Sequence, residues 1–264
     1  MSRNRFWILL ALCCSLALLV ACGGGGEGDG EGDDVPEASS EAPAAEVDTA
    51  NAGGVKGAVN YSGPDTDTPI AMNADPTCAS LHSTPVDTGK YQVKEGKLGN
   101  VFVYVKTGLE GKSFPTPTEK KTLDQQGCQY HPHVMGIQVG QPLTVKNSDA
   151  TLHNIHAMPK SNPEFNQGQP IKDMSFDKTF EKAEVMVPFK CDVHPWMNAY
   201  VGVLDHPYYA VSGEDGSFSI DKLPAGTYTL EAWHEELGTA TQQVTVAANQ
   251  TVDVNFDFQP RTGG

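Results

Sequence analysis

Apolar residues recur at every second position in run after run of this chain, with turn residues between the runs. Val252, Val254, Phe256 and Phe258 alternate with Asp253, Asn255 and Asp257, and Val185, Val187, Phe189 and Cys191 alternate likewise. A period of two puts one such set on one face of a β-strand, so the Cys191 sulfur is expected to point inward at a strand's end. Residues 134–139 and 143–147 read as strands around the turn Gly140-Gln141-Pro142, and Ala199–Leu204 as another. In Asn100–Lys106 the valines at 101, 103 and 105 fill one face, while Phe102 and Tyr104 fill the other. That run is predicted to be a central strand buried on both sides. With 27 glycines and 18 prolines in 264 residues, the chain is expected to be all-β, built from short strands and turns.

The first 53 residues stand apart from that pattern. Arg3 and Arg5 precede an apolar stretch, Phe6–Val20, of 15 residues, shorter than the roughly 20 needed to span a bilayer. It reads as the core of a secretory signal. It ends in Leu19-Val20-Ala21-Cys22, which resembles the bacterial lipobox. The resemblance implies that residues 1–22 are a lipoprotein signal, that Cys22 carries a lipid, and that the protein lies in the cell envelope, on its periplasmic or surface side. Gly23 rather than Asp follows, which by the enteric sorting rule favours the outer membrane. Residues 23–53 are glycine-rich, with nine acidic residues and no basic one. They are expected to be a disordered tether reaching on the order of 30 Å. The rest, 54–264, carries 24 acidic and 16 basic residues. Lysine and arginine cluster nowhere beyond pairs, which excludes a nucleic-acid partner.

Six cysteines remain to be assigned. Cys13 and Cys14 leave with the signal, and Cys22 takes the lipid. Cys78 and Cys128 both sit in loop-like sequence and are expected to pair as a disulfide in an oxidising compartment. The alternative is a Cys2His2 zinc set from Cys78-x3-His82 and Cys128-x2-His131. His131 and His133 are read as sharing one strand face and are expected to be surface residues, the alternative being a second metal site with His82. Cys191 is left unpaired.

Its surroundings carry the chemistry. Cys191, His194 and Met197 follow one strand, and His153 follows another in Asn147-Ser148-Asp149-Ala150-Thr151-Leu152-His153. A thiolate, two imidazoles and a thioether select copper, and a near-trigonal His2Cys set with a long axial methionine is the blue-copper electron-transfer site. Cys-x2-His-x2-Met resembles the ligand loop of amicyanin, and residues 139–156 resemble the amicyanin and plastocyanin stretch before the first histidine ligand. The chain is thus similar to the cupredoxins over residues 118–205. The resemblance implies a Greek-key β-sandwich, one type 1 copper, and His153, Cys191, His194 and Met197 as its ligands. It further implies that Asn154 ties the first-histidine segment to Asp192, although Asp192 stands where the family has Ser or Thr. Electrons would leave at an emergent edge of His194, in a patch including Pro195 and Trp196. A binuclear copper centre needs two cysteines in that loop, and there is one. His156, three residues after His153, is expected on the opposite strand face.

A second module follows. The stretch DGSFSIDKLPAGTYTLEAWH, residues 215–234, resembles the carboxypeptidase regulatory-like, transthyretin-like β-sandwich. The opening strands of such a module appear far upstream, at Val55–Tyr61 and Asn100–Lys106. Residues 54–117 and 206–264 are therefore expected to form one split sandwich with the cupredoxin inserted, the alternative being beads in series. The function expected is single-electron transfer by a lipid-anchored blue-copper protein, with a cytochrome or oxidase as redox partner. The alternatives are copper trafficking or storage, and an envelope binding module with structural copper. An enzyme is not expected, since no open-site histidine triad, nucleophile elbow or carboxylate pair is found.

Overall fold

Two β-sandwiches share the chain, one threaded through the other. The computed structural model describes residues 45–46, 49–64 and 67–261. The signal segment, Cys22 and most of the tether lie outside them. In the middle sandwich one sheet has the order Ser175–Lys178, Leu143–Asn147, Lys121–Gln126, Gln129–His131. The other runs Phe165–Gln169, His153–Ala157, Glu184–Lys190, Asn198–Leu204, Val134–Gln138. Leu123, Leu143 and Val145 from the first sheet meet Ile137, Ile155, Val187, Phe189 and Val201 from the second in one buried core. The strands flanking Gly140-Gln141-Pro142 do not pair with each other. Val134–Gln138 lies parallel to Asn198–Leu204, and Leu143–Asn147 parallel to Lys121–Gln126, so the turn crosses between sheets.

The flanking sandwich is assembled from the two ends of the chain. Gly53–Tyr61 pairs with Ser217–Leu223, Thr251–Asp253 and Phe256–Phe258. This long-range pairing is what insertion requires and beads in series would lack. The facing sheet has the order Tyr209–Val211, Phe102–Thr107, Gly226–His234, Gly238–Val246. Val103 and Val105 enter the core of this sandwich, with Val55, Leu230 and Phe256. Phe102 and Tyr104, on the other face of the same strand, are buried against Val134, Met186 and Leu204 of the middle sandwich. The strand is thus buried on both sides, as its unbroken apolar run predicts. Gly136 and Gly202, cross-strand partners in the middle sandwich, make this contact possible. A Cβ at Gly202 would collide with the Phe102 ring, and one at Gly136 with Tyr209. The Tyr209 hydroxyl also donates to the Gly136 carbonyl at 2.7 Å.

Three sequence expectations are corrected. First, the tether does not run free to residue 53. Ala45–Glu46 lies parallel to Lys112–Ser113, and Gly53 already belongs to a strand. Backbone pairing needs no apolar side chain, so composition cannot mark it. Second, residues 54–117 are not one body. Residues 67–88 leave the flanking sandwich and cover the end of the middle one. Met72 and Cys78 enter its core and Ile70 and Val86 pack against it. This segment holds the helix Pro76–Ser80, which Asp75 caps by accepting from the Thr77 and Cys78 amides at 2.7 and 3.2 Å. An aspartate before a proline is an N-terminal helix signal that sequence reading passed over. Third, Val185 does not share the face of Val187, Phe189 and Cys191. It is 39% exposed while Met186 is buried, because the register shifts between Glu184 and Val187.

Candidate metal centre

The strands His153–Ala157 and Glu184–Lys190 run antiparallel, with Ala157 opposite Phe189 and His156 opposite Lys190. His153 and the residues after Lys190 therefore reach the same end of the sheet. There the chain turns tightly. The Met197 amide donates to the His194 carbonyl at 2.9 Å, and the Cys191 amide to the Met197 carbonyl at 3.1 Å. The turn brings His194 and Met197 back over Cys191. All four predicted ligands are buried, with exposures from 0% for His153 to 2% for Cys191 and His194. The ligand atoms of His153, Cys191 and His194 lie within 4.8 Å of one another.

The hydrogen bonds fix which ring nitrogens face inward. His153 Nε2 donates to Asp149 Oδ2 at 2.9 Å, and His194 Nε2 to Asp75 Oδ2 at 3.0 Å. A carboxylate can only accept here, so it holds the ring proton on Nε2 and leaves Nδ1 as a lone pair. The two Nδ1 atoms face each other at 3.0 Å, with Cys191 Sγ 3.9 Å from that of His194. Two lone pairs and a sulfur converging in a buried space repel one another unless a proton on the His153 ring or a metal ion lies among them. That donor set, imidazole with thiolate, suits copper.

The thiol is prepared for ionisation. Burial opposes the charge on Cys191, but the His153 ring and the amides of His194, Asn154 and Val193 outweigh it and lower its pKa. The His194 amide reaches the sulfur at 3.3 Å. Burial likewise works against the Asp149 charge, yet His153 and the Cys128 and Gly127 amides hold its pKa below the usual carboxylate range. His153 moves the other way. Its burial disfavours the cation, while Asp149 and Cys191 beside it raise its pKa. For Asp75 the bond from His194 is the main cause of a pKa held down to about 2.

Around this centre the Asp192 amide donates to Asn154 Oδ1 at 2.9 Å, the backbone contact the resemblance implies. The Asp192 carboxylate turns outward to Asn166, His156 and Lys190. His156 thus lies on the outer face of the strand. Cys78 and Cys128 are joined as a disulfide spanning 50 residues, which removes both from the zinc alternative. The second-site histidines do not gather among the described residues. His82 bonds the Gly127 carbonyl, His133 bonds Glu235 and His131 is exposed. His131 and His133 do not share a strand face, because the strand ends at His131 and Pro132 intervenes.

The edge of His194 does not emerge, contrary to the family-based expectation. Asp75 and Cys78 cover it, with Cys78 Sγ 3.6 Å from Nε2. Pro195 is exposed and Trp196 half-buried. Trp196 Nε1 donates to the Cys128 carbonyl at 3.0 Å, and its ring lies 5.1 Å from that of His194. Sequence reading missed Asp75 and Asp149. Asp149 stands four residues before His153 in a turn, whereas Asp75 reaches the site only through the tertiary fold.

Residues 193–259 match the family model of the carboxypeptidase regulatory-like domain. The match begins inside the ligand loop and takes in the strand Asn198–Leu204 before entering the flanking sandwich. Among solved structures, the chain is similar to a methionine-to-glutamine variant of amicyanin in its Cu(I) form. Identity is 24%, over 32% of this chain and 81% of that one, with a TM-score of 0.29. It is also similar to a purple cupredoxin from Nitrosopumilus maritimus, at 23% identity over 31% and 98% of the two chains and a TM-score of 0.28. A copper-containing nitrite reductase from Thermus scotoductus SA-01 overlaps at 20% identity, over 38% of this chain and 25% of that enzyme, with a TM-score of 0.31. Among curated proteins none matches.

Proposed function

We propose that the chain is an extracytoplasmic single-electron carrier with one type 1 copper, held by His153, Cys191 and His194 with Met197 as the weak fourth ligand. The observation that carries this reading is the pair of Nδ1 atoms 3.0 Å apart beside a buried thiol, each ring turned inward by a carboxylate on its far nitrogen. Copper in such a set exchanges one electron between Cu(I) and Cu(II). The residues supply the rest. Two strands and a hydrogen-bonded turn hold the donors in place, so little has to move when the charge changes. Burial of all four side chains keeps water from the donors and favours carriage of electrons over release of the ion, which tells against trafficking. The set leaves no donor position facing solvent where a substrate would bind, which tells against an enzyme.

Electron exchange with a cytochrome or oxidase is assigned to the exposed Pro195 and the Trp196 ring beside His194, since His194 itself is sealed. Lipidation of Cys22 would tether this body to the outer membrane through the acidic tether. The experiment is optical. Cu(II) added to the metal-free protein should give an intense blue colour that ascorbate bleaches and an oxidant restores. A pale complex that yields its copper to a chelator would favour the trafficking alternative.

A further inference from the structure

We infer that Asp75 and Asp149 are a matched pair of positioning residues that hold both histidine ligands by their far nitrogens and bias the centre toward its oxidised form. The inference rests on the copper reading above and adds two residues from outside the ligand motifs. The two contacts are alike, 3.0 Å from Asp75 Oδ2 to His194 Nε2 and 2.9 Å from Asp149 Oδ2 to His153 Nε2. Both carboxylates are anchored independently of the rings. Asp75 Oδ1 caps the helix Pro76–Ser80, and its Oδ2 lies 3.4 Å from the Thr151 hydroxyl. Asp149 accepts from the Gly127 and Cys128 amides at 2.8 and 2.7 Å.

One disulfide organises both. Cys78 lies in the helix that Asp75 caps, and the Cys128 amide holds Asp149. The rings they hold are buried, and Asp149 is only 4% exposed, so its charge is weakly screened. A fixed negative charge behind a ligand ring stabilises the state with the greater positive charge, which for copper is Cu(II).

The substitution that removes the charge at nearly constant shape is Asp75→Asn, whose one amide oxygen can still accept from His194 while its amide nitrogen replaces the Oδ1 that caps the helix. In Asp149→Asn the amide oxygen can likewise accept from His153 and the Cys128 amide, while the nitrogen replaces the acceptor of the Gly127 amide. Copper-loaded wild type, both variants and a control, Asp221→Asn on the exposed surface of the flanking sandwich, would be poised in a spectroelectrochemical cell, with the paramagnetic resonance spectrum recorded at each midpoint. Each site variant is expected to stay coloured and to shift the Cu(II)/Cu(I) ratio at least tenfold toward Cu(I), about +59 mV for one electron, while the control does not move. Should Asp75→Asn lose its colour, Asp75→Glu is expected to keep it. Coloured site variants with the wild-type potential, or loss of colour from both Asn and Glu at position 75, would overturn the pair. A wild-type protein that takes up no copper here would overturn the copper reading itself, and the pair with it.

Discussion

Cys191→Ser is expected to abolish the intense blue absorption rather than weaken it. The colour of a type 1 centre depends on a thiolate bonded to Cu(II), and a serine hydroxyl neither ionises at neutral pH nor supplies that sulfur. The position is suited to a clean test. The sulfur is buried, accepts the His194 amide at 3.3 Å and bonds no other cysteine among the described residues. A hydroxyl fits the same space and can accept from the same amide, so the folded state should lose only about 1 kcal/mol. Absorption spectra of copper-treated wild type and variant, with their melting curves, separate loss of ligand from loss of fold. Blue colour surviving in a folded variant would show that another side chain supplies the ligand.

The second large effect is on stability. Opening the Cys78–Cys128 disulfide, by Cys78→Ala with Cys128→Ala, releases a loop of about 50 residues. On the chain-entropy account that costs about 4 kcal/mol, on the order of 10 °C in the melting temperature of a unit this size. The loss should fall on the middle sandwich, whose core contains both half-cystines, and spare the flanking one. Calorimetry of the double variant is expected to show one transition displaced and the other unmoved. The segment 67–88 should also come away from the ligand loop, so cleavage by a protease within it should quicken. A double variant that melts like wild type and resists cleavage would mean that the packing of Met72, Ile70 and Val86 alone holds the cover in place.

These effects show where sequence suffices and where it does not. The ligand order was legible because Cys191, His194 and Met197 lie within seven residues at the end of an alternating run. The disulfide was legible by counting, since the thiols of a chain expected to be exported are expected to pair. The split sandwich was legible through the resemblance of residues 215–234 to a known module, whose opening strands stand far upstream at Val55–Tyr61 and Asn100–Lys106. By contrast, nothing local marks Asp75 as the partner of a histidine 119 positions away. The covering of His194 by residues 67–88 is a property of tertiary packing alone, so a family's exposed histidine edge could not be carried over from its motif. The face of Val185 was misread because a bulge of a single residue resets the alternation.

The central assignment is best tested by anomalous diffraction at the copper edge from crystals of the copper-loaded protein. One peak is predicted in the space bounded by Cys191 Sγ and the Nδ1 atoms of His153 and His194, on the side of both rings away from Asp75 and Asp149. A peak on the Nε2 side of either ring, at the exposed His131, or nowhere ordered would contradict it.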